Sequence, residues 1–157
     1  MAAGTTTIIT NYVQSMALMS PADKWGTDVI KVALINSSTT PNKTDSNPTW
    51  GAAGAQNYST NEVSGGIYVA GGNTLAGCTV TQASNLVNLN ATSPISWAAN
   101  AGNPTTARWA IIYDSSTANK EVLAFIDLGA VTTLVPGLQI NLNGVSSGTQ
   151  IVLQATT

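Results

Sequence analysis

The stretch "TARWAIIYDSSTANKEVLAFIDLG", residues 106–129, limits the possible folds of this chain more than any other segment. Residues 107–114 and 121–128 are largely apolar, and each run divides into two sets of alternate positions that would lie on opposite faces of a strand. Such alternation is typical of β-strands, because successive side chains point to opposite faces of a sheet. The polar "DSSTANKE" between the two runs therefore predicts an antiparallel β-hairpin.

Further strand patterns follow the same rule along the chain. The segment "TDVIKVALI" predicts a strand whose Ile30, Val32 and Leu34 face the core. Other strands are predicted in "EVSGGIYVAGG", "TLAGCTVTQ", "NLVNLNA" and "PISWAA", and at residues 138–142 and 151–155. Short strands separated by turn signals predict a mainly β fold, an antiparallel β-sandwich or barrel-like domain. We assign residues 23–157 to this single domain.

The N-terminal segment, residues 1–22, has a different pattern. Apolar residues at spacings of three and four predict a short helix within the stretch "TTTIITNYVQSMALMSP". The β-branched run from Thr5 to Thr10 argues against a helix, and an extended arm is the alternative interpretation. Its apolar stripe either covers an open end of the β domain or docks on a neighbouring subunit. The candidate interaction residues of this segment are Ile8, Tyr12 and Met16.

A long loop is predicted at about residues 36–61, which are rich in Pro, Gly, Asn and Ser and show no periodicity. Loops of this length are uncommon in compact domains and often make functional contacts. Trp50 and Tyr58 lie in this loop, and we expect both to be exposed candidate interaction residues. Trp97 and Trp109 lie in strand patterns and are predicted to be core residues.

Charge is scarce in this chain, and its scarcity bears on the partners. Charged residues make up 8% of the sequence, against roughly a quarter in ordinary soluble domains. The five basic residues are scattered, so we expect no nucleic-acid partner. No apolar run reaches the roughly 18 residues that span a bilayer, and the N-terminus lacks the basic start of a signal peptide. We therefore expect no membrane partner and synthesis in the cytosol.

Candidate catalytic groups are few. The chain has no histidine, which is the usual general base and the commonest metal ligand. Two of the three hairpin acids Asp114, Glu121 and Asp127 could form a carboxylate pair for acid–base catalysis, or Asp114 could start the turn while Glu121 solvates its far end. We favour the second interpretation, and we expect Arg108 to form a cross-strand ion pair with Asp127.

Three other patterns are interpreted structurally. The glycine pairs at residues 65–66 and 71–72 lack the Gly-Lys-Ser/Thr ending of a phosphate loop and predict hairpin corners or bulges. The polar residues 42–47 lack the spacing of a calcium loop. Cys78 has apolar neighbours and is predicted to be a small buried hydrophobic residue. We therefore expect no enzymatic activity, no cofactor and no metal.

The ordered set of segments carries a resemblance. The segments are "TNYVQSMAL", "WGTDVIKVALINSSTTPN", "NEVSGGIYVAGGNTLAG", "ISWAANAGNPTTARWAIIYD", "EVLAFIDLG" and "LQINLNG". In this order they resemble a family of small virion proteins of tailed bacteriophages, and the resemblance covers nearly the whole chain. It implies a capsid decoration (cement) protein or another accessory head or tail component, with no enzymatic activity and no ligand residues to transfer.

The resemblance implies specific partners. A decoration protein is made in the host cytoplasm, sits on the capsid surface and binds the major capsid protein and copies of itself. A homo-oligomer is expected, and a trimer is favoured because shells offer threefold sites. The alternative is a tail, baseplate or fibre component with a host- or glycan-binding role, in which Trp50 or Tyr58 would line an exposed groove. A hydrolase that uses the hairpin acids is the least favoured hypothesis.

Overall fold

The computed structural model describes residues 6–9, 24–51, 56–83, 86–91, 94–140 and 149–154, with the backbone alone at residues 6, 8, 81–83, 86–88 and 149–154. A 3-10 helix covers Tyr58–Asn61. Within these residues, no helix has the length and apolar character needed to cross a bilayer. The strands are β1 (Thr6–Ile8), β2 (Ile30–Ile35), β3 (Pro48–Thr49), β4 (Gln56–Asn57), β5 (Asn73–Thr74), β6 (Thr79–Ala83), β7 (Leu86–Ala91), β8 (Ile95–Trp97), β9 (Ala107–Asp114), β10 (Val122–Thr132), β11 (Leu138–Ile140) and β12 (Thr149–Gln154).

The largest sheet has five antiparallel strands in the order β1-β10-β9-β2-β5. A second sheet has the order β12-β7-β6, and β11 pairs with β8, both with antiparallel neighbours. The short β3 and β4 form a parallel pair within the long loop. The predicted class, mainly β with antiparallel sheets, is confirmed.

The predicted hairpin lies at the centre of the five-stranded sheet. Its register pairs Phe125 with Ile111, and the backbone N–H of Asp114 donates to Glu121 O at 3.0 Å where the turn closes. An irregularity near Leu123 shifts the register. The carbonyl of Leu123 accepts a hydrogen bond from Ile9 N at 2.8 Å, so this part of β10 also holds the N-terminal strand.

Strand β2 is more buried than the sequence predicted, because residues on both of its faces are covered. Ile30, Val32 and Leu34 are fully buried as predicted, but their neighbours Ala33 and Ile35 are also fully buried. Such two-sided burial requires cover on both faces of the sheet. Apolar residues at successive positions from Val32 to Ile35 therefore reflect a central strand that is covered on both faces, while Lys31 stays partly exposed.

The long loop covers one of these faces. Trp109, Ile111 and Tyr113 occupy alternate positions of β9, so their side chains lie on the same face of the strand. The ring of Trp50 stacks on Tyr113 with the centroids 5.0 Å apart, and Trp109 meets Phe125 edge-on at 6.0 Å. The loop thus supplies aromatic cover to the central sheet.

Of the two alternatives for the N-terminal segment, the helix is wrong at its beginning and the extended arm is observed there. Thr6–Ile8 is a strand that pairs antiparallel with β10, and Ile9, directly after it, is fully buried. β-branched Thr and Ile favour extended backbone, and β10 offers an open edge for pairing. The rest of the predicted helix, residues 10–19, lies outside the described residues.

The predicted cross-strand ion pair between Arg108 and Asp127 is confirmed. Asp127 is buried, and its Oδ1 also accepts a hydrogen bond from Gly129 N at 2.7 Å. The Arg108 guanidinium lies 4.3 Å from the ring centroid of Trp109. Arg108 holds the pKa of Asp127 below its ordinary value, chiefly through their hydrogen bond. The pair stabilises the irregular end of β10, where the register shifts between Asp127 and Thr132.

Gly72 provides a test of how tightly β5 packs on β2. Gly72 has φ +71°, and a Cβ there would lie 2.0 Å from Val32 O. We expect Gly72→Ala to lower the free energy of unfolding by more than about 2 kcal/mol, because backbone must move and left-handed strain alone costs roughly 1–2 kcal/mol. Urea denaturation measures the loss.

Gly26→Ala is the matched control, because a Cβ at Gly26 meets nothing within 4 Å. We expect the stability of this variant to stay within about 0.5 kcal/mol of wild type. Equal effects of the two substitutions would contradict the close approach of β5 and β2.

Candidate interaction surface

Asn103 joins three chain segments through its buried side chain. It is 4% exposed, although it lies in a loop. Its Oδ1 accepts a hydrogen bond from Ile67 N at 3.1 Å, and its Nδ2 donates to Ala98 O at 2.8 Å and to Leu134 O at 3.0 Å. A buried amide with all these bonds satisfied fixes the relative positions of the loops it connects.

Close backbone packing reinforces this junction. Gly66 has φ +55°, and a Cβ there would lie 2.6 Å from Asn103 N. Only glycine therefore allows the two loops to approach so closely. Asn100 N donates to Val135 O at 3.1 Å and ties the third segment to the same junction. The glycine pair that predicted a turn is thus also a packing site between loops.

The three segments, residues 64–72, 98–106 and 129–137, contain no charged residue. We call this part of the molecule the Asn103 end. Several of its branched aliphatic side chains are well exposed: Ile67 (51%), Val69 (62%), Val131 (55%) and Val135 (36%). Exposed apolar side chains on uncharged, hydrogen-bonded loops are typical of a protein–protein contact surface.

The opposite end of β9 has the contrasting chemistry. Seven strand rises separate Ala107, at the Asn103 end, from Asp114, a distance of about 23 Å. Glu121 pairs with Asp114 through the backbone, and Asp28 interacts with the Asp114 carboxyl. The charged residues at this end are Lys24, Asp28, Asp114, Lys120 and Glu121. The three segments of the Asn103 end contain no charged residue themselves, but Glu62 accepts a hydrogen bond from Gly71 N at 2.6 Å and the Arg108–Asp127 pair lies beside Ala107.

Two carboxyl groups meet at the charged end. Asp114 is fully buried, and its Oδ1 accepts from Ser116 N at 2.7 Å. Its Oδ2 is buried and accepts no hydrogen bond within the described part of the chain. Burial is the main cause that raises the pKa of Asp114 to about 6; the Ser116 bonds oppose this rise and the neighbouring Asp28 adds to it. A proton on Asp114 can therefore bridge the two carboxyl groups.

Asp28 carries the negative charge of this pair. Burial opposes that charge, but hydrogen bonds from Lys24 N and from the Asp114 carboxyl lower the pKa of Asp28 below its ordinary value. The Lys24 N–H lies 2.7 Å from Asp28 Oδ2, and the Lys24 charge acts in the same direction. The opposite directions of the two pKa shifts favour a proton on Asp114 and a charge on Asp28 at mildly acidic pH.

The expectation that Trp50 and Tyr58 are exposed is wrong. Trp50 is 4% exposed and stacks on Tyr113, and Tyr58 is fully buried. The Tyr58 hydroxyl donates to the Asp45 carboxylate, and burial followed by this bond raises the pKa of Tyr58. The loop folds back on the sheet because its aromatic residues provide its apolar contacts. The glycan-groove alternative thereby loses the two residues on which it rested.

The structure describes only one of the three N-terminal candidate interaction residues, and that one by its backbone alone. Ile8 lies in β1 opposite Ala124, and its side chain is outside the described part of the chain. Tyr12 and Met16 lie outside the described residues altogether. By contrast, Trp97 and Trp109 are buried, so the prediction that they are core residues is confirmed.

The hairpin acids have the structural contacts that the favoured interpretation predicted. The bond from Ser116 N to Asp114 Oδ1 is an Asx-type turn that starts the connection. The Glu121 carboxylate accepts from the Thr117 hydroxyl at the far end of the same turn. Both acids are thus engaged in holding the turn between β9 and β10.

Other candidate chemical groups are also used within the fold. Cys78 is half-buried, its Sγ lies 3.3 Å from Leu75 O, and burial raises the pKa of its thiol to about 11. Asn42 Oδ1 accepts from Thr44 N at 3.1 Å, and Asp45 Oδ2 accepts from Asn42 N at 3.3 Å. Among the described residues, no three acids or cysteines gather as a metal site would require.

Sequence reasoning missed two features of the structure. Asn103 looked like an ordinary loop residue in "NAGNPTT", and only the adjacent Pro104 marked a turn. Asp28 lies 86 positions before Asp114, and no local pattern connects them. Both features depend on contacts between distant segments.

Comparison with known proteins adds no relative. No family model, no curated protein and no solved structure matches this chain. The function must therefore be argued from the chemistry of the two ends of the molecule and from the sequence.

The Asp28–Asp114 pair predicts a pH dependence of stability. The pKa of Asp114 rises from 3.8 to about 6 in the folded state, so its stabilising proton is fully present below pH 3.8 and is lost as the pH rises through 6. Asp114→Asn cannot titrate, and it retains an N–H donor toward Asp28. We expect its stability relative to wild type to increase between pH 4 and 6, by on the order of 1–2 kcal/mol because solvent screens Asp28.

Urea denaturation at several pH values measures this difference. Asp127→Asn is the control, because the pKa of Asp127 is lowered in the folded state. Ionised Asp127 therefore stabilises the fold above the ordinary pKa of an aspartate, and this stabilisation is lost as the pH falls. We expect the stability of Asp127→Asn relative to wild type to increase only as the pH falls below the ordinary pKa of an aspartate. A flat difference for Asp114→Asn between pH 4 and 6 would rule out the shared proton.

Proposed function

We propose that this protein is a non-enzymatic structural protein of a tailed-phage virion, and that it decorates and stabilises the capsid. The observation that carries the proposal is the Asn103 end: three uncharged loops, joined by a buried amide, that expose branched aliphatic side chains. The ordered segments that resemble small phage virion proteins supply the identity of the partner.

The physical properties of the Asn103 end suit attachment to a protein lattice. Exposed Ile67 and Val135 can bury apolar area against a partner, which stabilises a contact by roughly 25 cal/mol per Å². The absence of charged residues in these loops avoids the desolvation cost of buried ions. Interfaces of standard size bury about 1,600 Å² in total, and repeated copies on a shell add avidity.

The proposed partners are the major capsid protein and copies of this chain. A homo-oligomer, with a trimer favoured, would place several Asn103 ends on one threefold position of a shell. By bridging neighbouring capsid subunits, the protein would resist the outward pressure of packaged DNA.

Binding to heads assembled without the protein tests this proposal. We expect Ile67→Glu and Val135→Glu to weaken binding at least tenfold, because each places a charge in an apolar contact. Val80→Glu is the matched control: Val80 is 53% exposed but lies on β6, outside the Asn103 end. Co-sedimentation with purified heads measures the affinity, and thermal unfolding checks that each variant is folded.

Salt provides a second readout of the same experiment. Because the proposed contact is uncharged, we expect attachment to change less than about threefold between 0.05 and 0.5 M salt. Release of the protein at moderate salt with the lattice intact, or equal binding by all three variants, would contradict the proposed contact. Copy number on intact particles separates locations: hundreds of copies indicate the shell, and about a dozen or fewer indicate the tail.

A further inference from the structure

One oxygen of the Glu62 carboxylate holds two groups of the loop formed by residues 64–72. Glu62 Oε1 accepts a hydrogen bond from Gly71 N at 2.6 Å and another from the Tyr68 hydroxyl at 3.0 Å. The Tyr68 hydroxyl in turn accepts from Leu34 N at 2.9 Å. Leu34 is fully buried in the central strand β2, so this chain of bonds ties the loop to the largest sheet.

The backbone of Glu62 is itself fixed to the same sheet. Glu62 forms an antiparallel bridge with Ile35, the last residue of β2. The next residue, Val63, is buried, and its N–H donates to Leu34 O at 3.0 Å. The Glu62 carboxylate therefore reaches the loop from a fixed position beside the central sheet.

Tyr113 holds the other polar group of Gly71. The Tyr113 hydroxyl donates to Gly71 O at 2.8 Å, while its buried ring stacks on Trp50. Gly71 has φ +83°, and a Cβ there would lie 3.2 Å from the Tyr113 hydroxyl oxygen. Both the N–H and the C=O of Gly71 are thus bonded to side chains, and glycine provides the backbone conformation that these bonds require.

The first half of the loop is held at a separate point. Asn103 Oδ1 accepts a hydrogen bond from Ile67 N there, whereas Glu62 holds the second half. A turn within the second half is closed by the bond from Gly72 N to Val69 O at 2.9 Å. The exposed side chains of Ile67 and Val69 therefore project from backbone that is anchored on both sides.

The composition of the loop makes these anchors necessary. Four of its nine residues are glycines, at positions 65, 66, 71 and 72. Glycine samples more backbone conformations than other residues, so a loop of this composition without anchors would populate many arrangements. Ordering such a loop when a partner binds costs affinity, and fixing it beforehand removes that cost.

We propose that Glu62 is a positioning residue, which holds residues 64–72 in the conformation that binds the capsid lattice and does not itself touch the partner. Glu62 acts through Gly71 and Tyr68, so that the exposed Ile67 enters the contact already in place. This inference rests on the proposed function, and it names the group that prepares the binding surface. If only a fraction of the free protein has the competent loop, the apparent affinity falls by the same fraction.

Rates of association with heads assembled without the protein, and of dissociation from them, test the role of Glu62. We expect Glu62→Ala to lower the association rate about fivefold or more and to leave the dissociation rate within about twofold of wild type, because the bound loop keeps its contacts. Ile67→Ala is the comparison variant. It removes atoms of the contact itself, so we expect its dissociation rate to rise. Faster dissociation of Glu62→Ala with unchanged association would mean that Glu62 touches the partner, and would overturn the proposal.

Glu62→Gln is the matched control, because the side-chain oxygen of glutamine can still accept from Gly71 N and from the Tyr68 hydroxyl. We expect its association rate to stay within about threefold of wild type, since the loop remains anchored. Equal losses in Glu62→Gln and Glu62→Ala would mean that the charge of Glu62 acts on the partner, and the positioning role would be wrong.

Tyr113→Phe weakens the same anchor from the opposite side. This variant keeps the ring that stacks on Trp50 and removes only the hydroxyl that donates to Gly71 O. We expect slower association and unchanged dissociation here as well, so the test does not depend on the folding of Glu62→Ala. Thermal unfolding checks that each variant is folded. Wild-type association rates in both Tyr113→Phe and Glu62→Ala would contradict the proposal.

Amide hydrogen exchange of the free protein tests the anchor without heads. We expect Glu62→Ala to speed exchange at Gly71 and Gly72 by about tenfold or more, while the amides of β9 exchange as in wild type, because only the loop is released. Gly72 donates within the loop, so its exchange reports loop opening and not only the loss of one acceptor. Unchanged exchange at both glycines would overturn the positioning role and leave the proposed function standing. If wild type itself fails to bind heads, the proposed function is wrong and this inference falls with it.

Discussion

Two-sided burial of the β9–β10 hairpin is the constraint on which the rest of the structure depends. The hydrophobic residues of both strands are buried from Ala107 to Tyr113 and from Val122 to Ile126. A sheet buried on both faces needs cover from other parts of the chain, and the long loop supplies it on the side of Tyr113. The loop is therefore a layer of the domain, although its composition is that of a connection.

The same hairpin separates the two ends of the molecule. Its turn carries the acids that meet Asp28, and its other end leads into the uncharged loops joined by Asn103. Arg108 and Asp127 form an ion pair close to these loops, and Asp127 also accepts a hydrogen bond from Gly129 N.

Sequence reasoning succeeded where the physics is local. Alternation along residues 107–128 predicted the hairpin, and the cross-strand position of Arg108 predicted its partner Asp127. It failed for Trp50 and Tyr58, because a polar, aperiodic loop gives no sign of which surface it will cover. It failed at Thr6–Ile8 as well, because helical spacing and strand propensity disagreed and the open edge of β10 decided the outcome.

The sequence by itself determined the strand pattern, the scarcity of charge and the turn chemistry, since each depends on residues that are neighbours along the chain. The tertiary structure alone decided which loops meet at Asn103 and which acids lie beside each other. These features join residues separated by tens of positions. Their energies come from burial and hydrogen bonding between segments, and no local pattern encodes them.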